Sequence, residues 1–232
     1  MTPYALTPTG NRPEGIALLG EYLNTQTYQG PLTWIIVDDC NPATDIPTVR
    51  DGITIEVIRP SWRWKPGDNT QAASLRAGLE VIPNEARLVI LEDDDIYLPT
   101  HLENIFNALE SFDLVGERVT RYYNVATGRH RVLPGAFHAS LSTTGVGSGA
   151  LTALRDACAA AKTGIDVRLW RGYQGPKQLL DTANVVGIKG LPGRPGIGVG
   201  HRRNFGYPDE GGMLRQWVGD YADNYGIFRE AA

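Results

Sequence analysis

The chain has 232 residues, 42% hydrophobic and 21% charged, which is a globular composition and excludes a disordered or fibrous protein. Its purely apolar runs, such as Leu88 to Leu91, fall far short of the roughly 18–20 residues of a membrane span, and no basic-then-apolar leader opens it, so no membrane insertion is expected. The net charge of −4 divides unevenly: residues 1–116 hold 7 Lys and Arg against 17 Asp and Glu, and residues 117–232 hold 15 against 9. An acidic half suits a cation, and a basic half suits a phosphate or polyanion. Cys40 and Cys158 are too few for a disulfide framework or a zinc site. A cytoplasmic location is expected, in the host cytoplasm if the chain is viral.

The first half alternates strand and helix. Tyr4–Thr7 reads as a strand that ends in a turn-rich loop, Thr7-Pro-Thr-Gly-Asn-Arg-Pro13. A helix follows Pro13, a favoured first helical residue, with Ile16, Leu19 and Leu23 on its buried stripe. Leu32–Val37 is apolar and β-branched, as a strand covered on both faces must be. Ile53–Ile58 is a third strand, and Asp68 or Asn69 caps a helix carrying Ala72, Leu75, Leu79 and Ile82. Arg87–Leu91 is another buried strand. Pro99 and Thr100 open a helix, with Glu103 placed to complete a capping box. This order predicts an α/β fold with a mostly parallel central sheet and helices on both faces.

The second half changes character. Glu117–Val125 and Arg129–Leu133 flank Ala-Thr-Gly and read as a hairpin, and an alanine-rich helix lies near Ala150–Lys162. Residues 187–212 are dense in glycine and read as a mobile loop. Met213, Trp217 and Tyr221 are spaced for a closing helix. No repeat or linker divides the chain, so one domain over 1–232 with two functional halves is expected.

Four adjacent carboxylates, Glu92-Asp-Asp-Asp95, follow the strand Arg87–Leu91. They repel one another, and holding them at one strand end costs stability unless a cation is present. In open α/β sheets the carboxyl ends of strands face the ligand crevice. All-oxygen ligands select Mg2+ or Mn2+, which also bridge phosphate oxygens. An acidic helix start explains this run poorly, because Pro99 begins the helix several residues later. A second pair, Asp38-Asp39, ends the strand before it and suits either a base or ribose contact or a turn. Ser61-Trp-Arg-Trp-Lys-Pro66 offers aromatic faces and cations, and reads more readily as a plug over a sheet edge than as a stacking platform.

Tyr4-Ala-Leu-Thr-Pro-Thr-Gly-Asn-Arg-Pro13, Ile35-Ile-Val-Asp-Asp39 and Leu91-Glu-Asp-Asp-Asp-Ile-Tyr-Leu-Pro99 resemble, in that order, GT-A-fold glycosyltransferases of the family-2 kind. The resemblance covers residues 4–110 and extends more weakly to about 203. It implies a GT-A-like single domain, a nucleotide-sugar donor (usually UDP-linked) and Mn2+ or Mg2+. Carried over, Thr7, Asn11 and Arg12 line the nucleotide pocket, Asp39 with Asp38 contacts the base, and Arg76 lies near a nucleotide contact. Asp94 is the metal ligand, with Glu92 as a further metal ligand, and Asp93 or Glu92 is the ribose contact; Glu92 stands where the family usually has Asp. Gly147–Ala150 resembles the segment that meets sugar and acceptor. Thr163–Arg171 resembles the region whose carboxylate is the general base, here Asp166. Gly190–Arg203 resembles a flap over the diphosphate, with His201 as a further metal ligand and Arg194, Arg202 and Arg203 as phosphate partners. Residues 1–116 then form the nucleotide-sugar-binding half and 117–232 the acceptor-binding half, with the flap at 187–212.

The expected reaction is inverting transfer of a sugar from a nucleotide diphosphate to an acceptor hydroxyl. Arg118, Arg121, Arg129 and Arg131 around the hairpin would suit a phosphate backbone, so a modified DNA base is one acceptor to consider, as in small phage-type enzymes. Two alternatives stand beside this reading. A sugar nucleotidyltransferase would carry a Gly-rich, Arg/Lys-containing signature after the first strand, where Thr7–Pro13 has only Gly10 and Arg12. A non-catalytic module would bind a nucleotide sugar or nucleic acid without turnover.

Overall fold

A computed structural model describes residues 3–196 and 198–228. The strands are β1 (Tyr4–Thr9), β2 (Leu32–Asp38), β3 (Ile53–Ile58), β4 (Leu88–Ile90), β5 (Ile96–Tyr97), β6 (Leu114–Glu117), β7 (Val119–Asn124), β8 (Arg129–Pro134), β9 (Thr144–Val146), β10 (Lys177–Leu180), β11 (Val185–Lys189) and β12 (Tyr207–Pro208). The helices are α1 (Pro13–Asn24), α2 (Gln71–Val81), α3 (His101–Ala108), α4 (Leu151–Ala160), α5 (Ile165–Gly172) and α6 (Met213–Val218). The main sheet has the order β10-β6-β9-β4-β1-β2-β3, and only β9 runs antiparallel to its neighbours. The second sheet has the order β12-β8-β7-β11-β5. None of the described helices is long and apolar enough to cross a membrane.

The apolar strands are buried on both faces, and the pleat divides their side chains. Ala5, Trp34, Ile36 and Val89 join one core with Ile16 and Leu19 of α1 and Ile105 of α3. Leu6, Ile35, Val37, Leu88 and Ile90 join the other with Leu75 and Leu79 of α2 and Leu154 of α4. Successive residues point to opposite faces, so an unbroken apolar run feeds two cores at once. Each fully buried Val, Leu or Ile among them contributes about 1.5–3 kcal/mol by leaving water. The parallel register places Thr9 beside Asp38 and Leu6 beside Ile90. The loop after β1, Asp39 and the acidic run therefore emerge at one edge.

Several local expectations change. Asn69, just before α2, accepts the Gln71 N–H through its side chain at 3.2 Å, and the N-cap residue is Thr70. The capping box at α3 does not form. Gln26, distant in sequence, accepts the Leu102 N–H at 3.0 Å, while Glu103 accepts from Thr27. The glycine-rich stretch opens inside β11, whose residues are all buried, before irregular backbone begins at Gly190. Ile197 of that stretch lies outside the described residues. Tyr221 lies past α6, because Gly219 at φ 59° ends the helix and a 3-10 segment follows.

The expected hairpin is β7–β8, while Glu117 ends β6 in the main sheet. Buried Glu117 joins the two sheets. It accepts the Asn184 and Val185 N–H groups at 2.8 and 3.2 Å and the Thr182 hydroxyl at 3.1 Å, and lies 3.5 Å from His101. Burial alone would raise its pKa, but these hydrogen bonds and His101 outweigh it and hold it below the usual value. Its contribution to stability is present above the ordinary glutamate pKa and is lost as pH falls through the depressed folded value. Glu117→Ala leaves the Asn184 and buried Val185 N–H groups without their acceptor and takes the charge beside His101 away, and should cost on the order of 3–5 kcal/mol in urea unfolding.

Candidate active site

The turn between β4 and β5 carries the four carboxylates and passes from one sheet to the other. It forms a wall of a cleft of about 480 Å³ whose lining comes from both halves of the chain. Arg12, at the start of α1, reaches Asp93 at 2.7 Å and Asp94 at 3.3 Å. Thr9 donates to Asp93 at 2.7 Å. Gly15 allows this approach, since a Cβ there would meet the Asp93 carbonyl. Lys189, at the end of β11, lies 3.5 Å from Asp94 and 3.2 Å from Asp95, and Asp95 also accepts the Ile188 N–H at 3.1 Å. Glu92 accepts from Gln71 at 2.9 Å, while its N–H donates to the Tyr97 hydroxyl.

Their titration follows from burial and these partners. Burial, then Asp95, pushes Glu92 up to about 8. Burial also raises Asp95, to about 6, against the pull of Lys189. For Asp94 burial is outweighed by Arg12, Lys189 and His201, which bring it down to about 2. Glu92, Asp94 and Asp95 each bring an oxygen within 4.8 Å of the others. Hard cations such as Mg2+ take oxygen ligands of this kind, and these three carboxylates would have to draw closer together to share one ion. His201 lines the cleft, and burial and Lys189 lower its pKa to about 4, so it is neutral at neutral pH. Its ring stands outside the converging carboxylate set, beside Gly196.

Among the residues expected from the sequence, Arg12, Glu92, Asp93, Asp94, Asp166, Arg194 and His201 line the cleft. Thr7 lies beneath it, fully buried, and accepts the Trp34 indole N–H at 2.9 Å; Thr9, two residues on in the same strand, lines the cleft instead. Asn11 contributes its carbonyl, which accepts the Arg194 N–H at 3.1 Å. Asp38 is consumed by its own loop, accepting from the Cys40 and Thr44 N–H groups and from Arg59. Asp39 is buried beneath Arg194, which lies 3.2 Å away, and also accepts from Thr70. Arg76 is exposed on α2 and outside the cleft lining, with an electrostatic reach to Cys158 on α4. Arg202 and Arg203 are exposed and also outside that lining. Gly147 and Gly149 pack on Asp113 rather than at the cleft, which Ser140, Leu141 and Ser142 line instead.

Arg194 ties the glycine-rich segment to the first half. It donates to Thr70 at 2.6 Å, its carbonyl accepts from Arg12 at 3.0 Å, and its guanidinium lies over Trp64 at 5.4 Å. Gly193, at φ 89°, lets the segment pass against the Asn11 carbonyl, where a Cβ would collide. Asp166 sits in the first turn of α5, about a quarter exposed, 3.9 Å from His138. Lys189 and His138 were not singled out by sequence, because their partners are distant along the chain.

The arrangement is a mixed α/β fold of the GT-A-like type. The same fold is seen in TarS of S. aureus, a family-2-like glycosyltransferase. The chain is 14% identical to one TarS structure, with a TM-score of 0.52, covering 82% of this chain and 37% of that one. For TarS 1-349 in complex with UDP the values are 13%, 0.55, 81% and 60%. For the complex with UDP-GlcNAc they are 16%, 0.52, 85% and 60%. The chain thus spans less than two thirds of each of these TarS chains, and at this identity the likeness is one of fold. No protein-family model and no curated protein sequence matches the chain.

Glu92 keeps its proton in the folded chain to about pH 8 but loses it near 4.5 when unfolded. The folded state binds more protons between these values, so the stability of the metal-free protein should fall as pH rises across that window. Glu92→Gln should flatten the decline in melting temperature measured from pH 5 to 8.

Proposed function

We propose that the chain is a glycosyltransferase that moves a sugar from a UDP-sugar to an acceptor hydroxyl with inversion. The observation that carries this reading is the convergence of the acidic turn, three cations and Asp166 on one cleft of a GT-A-like fold. It is supported by the UDP and UDP-GlcNAc bound to TarS structures of the same fold. Thr9, Gly10 and Asp39 stand at the carboxyl ends of β1 and β2, where the nucleotide would lie, with Arg194 displaced from Asp39 onto the diphosphate. Arg12 and Lys189 complete the positive side of that subsite. Glu92, Asp94 and Asp95 would hold Mg2+ or Mn2+, which when bound neutralises charge on the leaving diphosphate. The first half then serves the donor and the second half mainly the acceptor.

Asp166 is the general base. It is partly solvated, lines the same cleft, and belongs to an element separate from the acidic turn. An acceptor hydroxyl is a weak nucleophile at neutral pH, and removing its proton in the transition state is worth about 10²–10⁴-fold. Three of the four hairpin arginines have polar partners within the chain: Arg118 pairs with Asp181, Arg121 with Ala183 and Arg129 with Gly206. Arg131 lies over Phe205. These contacts give a DNA acceptor no added support.

Asp166→Asn should lower turnover at least about 100-fold while leaving UDP-sugar affinity nearly unchanged. The measurements are UDP release over a panel of hydroxyl acceptors and calorimetric titration of UDP-GlcNAc. Near-wild-type turnover would place the base elsewhere. Tight UDP-GlcNAc binding without turnover on any acceptor would favour a binding module. In a thermal-shift panel with Mn2+, a cognate nucleotide sugar at 100 times its dissociation constant should add about 2.7 kcal/mol.

A further inference from the structure

Lys189 is not needed to make β11, whose other side chains are apolar or glycine. Its ammonium is buried and placed between the carboxylates of Asp94 and Asp95, two of the three residues whose oxygens converge as a cation set. The two N···O separations, 3.5 and 3.2 Å, are longer than the roughly 2.7–2.9 Å of a tight charge-assisted hydrogen bond. A divalent ion shared by Asp94 and Asp95 would sit about 2.0–2.1 Å from an oxygen of each, so the ion and the ammonium compete for the same two carboxylates and repel one another. Lys189 also lines the cleft, and its ammonium lies 5.6 Å from the centre of the Tyr122 ring. It therefore has somewhere to go: outward along Tyr122, toward an anion in the cleft.

We propose that Lys189 is a resident counter-cation that holds Asp94 and Asp95 against a divalent ion until a diphosphate in the cleft draws it away. Arg12 cannot do this alone, because it reaches Asp93 and Asp94 but makes no ion pair with Asp95. The consequence is coupling: metal and nucleotide bind together, and the lysine moves from carboxylate to phosphate as they do. This rests on the acidic turn being the donor's metal site, and it assigns to one residue the order in which that site fills.

The test is Mn2+ binding, followed by calorimetry and by the loss of free-ion electron paramagnetic resonance signal, in wild type and Lys189→Met, each with and without UDP. Wild type should bind Mn2+ at least tenfold more tightly with UDP than without. Lys189→Met should bind Mn2+ alone at least tenfold more tightly than wild type alone, with the gain from UDP reduced. Lys189→Arg, which keeps the charge, should stay close to wild type. If removing the ammonium leaves Asp95 uncompensated and Lys189→Met does not fold, Mn2+ alone should restore its circular dichroism and melting transition. Equal or weaker Mn2+ affinity in folded Lys189→Met, or no recovery of the unfolded variant on adding Mn2+, overturns the proposal. If wild type with UDP binds no Mn2+ while Lys189→Met binds it alone, only the lysine's exclusion of the ion stands, and its release by a diphosphate fails together with the donor reading of the site.

Discussion

Four consecutive carboxylates in a buried turn are the constraint around which this molecule is arranged. Asp93, Asp94 and Asp95 are each almost fully buried, and the turn that carries them joins the two sheets. Burying an unpaired charge is expensive, so the turn can exist only if cations and donors arrive from elsewhere. Arg12 and Thr9 come from the start of the chain, and Lys189 and the Ile188 N–H from the second sheet. What compensates the turn also defines the cleft, because Arg12 and Lys189 both line it. Stability of the metal-free fold and capacity for an anionic ligand thus depend on the same side chains.

The glycine-rich segment extends this dependence. A segment with so little side chain has no core of its own, yet Arg194 fixes it to Asp39, Thr70 and the Asn11 carbonyl. The guanidinium covers the carboxylate at the end of β2 that stands at the expected nucleotide position. On the proposed donor reading, Arg194 would trade a carboxylate for a phosphate there, the exchange also proposed for Lys189. Both exchanges replace one charge-assisted contact by another, so neither requires a buried cation to be left unpaired.

The sequence by itself determined the frame and where the carboxylates gather. The six-residue strand Ile53–Ile58, the helix at Pro13 and the apolar strands were legible because periodicity and strand-end carboxylates are local properties. The acidic turn was legible for the same reason, since four adjacent carboxylates after a buried strand are conspicuous without any partner in view. Asp166 and Arg194 were named from their resemblance to a family pattern, and the cleft includes both.

Tertiary structure decided which side chains meet. Thr7 and Thr9 look equivalent in the loop motif and share one face of β1, but their different depths along the strand set one against Trp34 and the other against Asp93. Asp38 and Asp39 are adjacent, yet one closes its own turn and the other receives Arg194. The second sheet, the cap that Gln26 supplies to α3, and the lysine between Asp94 and Asp95 all join residues many positions apart. Such pairings leave no trace in local spacing, because a buried charge takes whichever partner the packed chain brings within reach, and only the folded arrangement of both sheets brings Lys189 to the acidic turn.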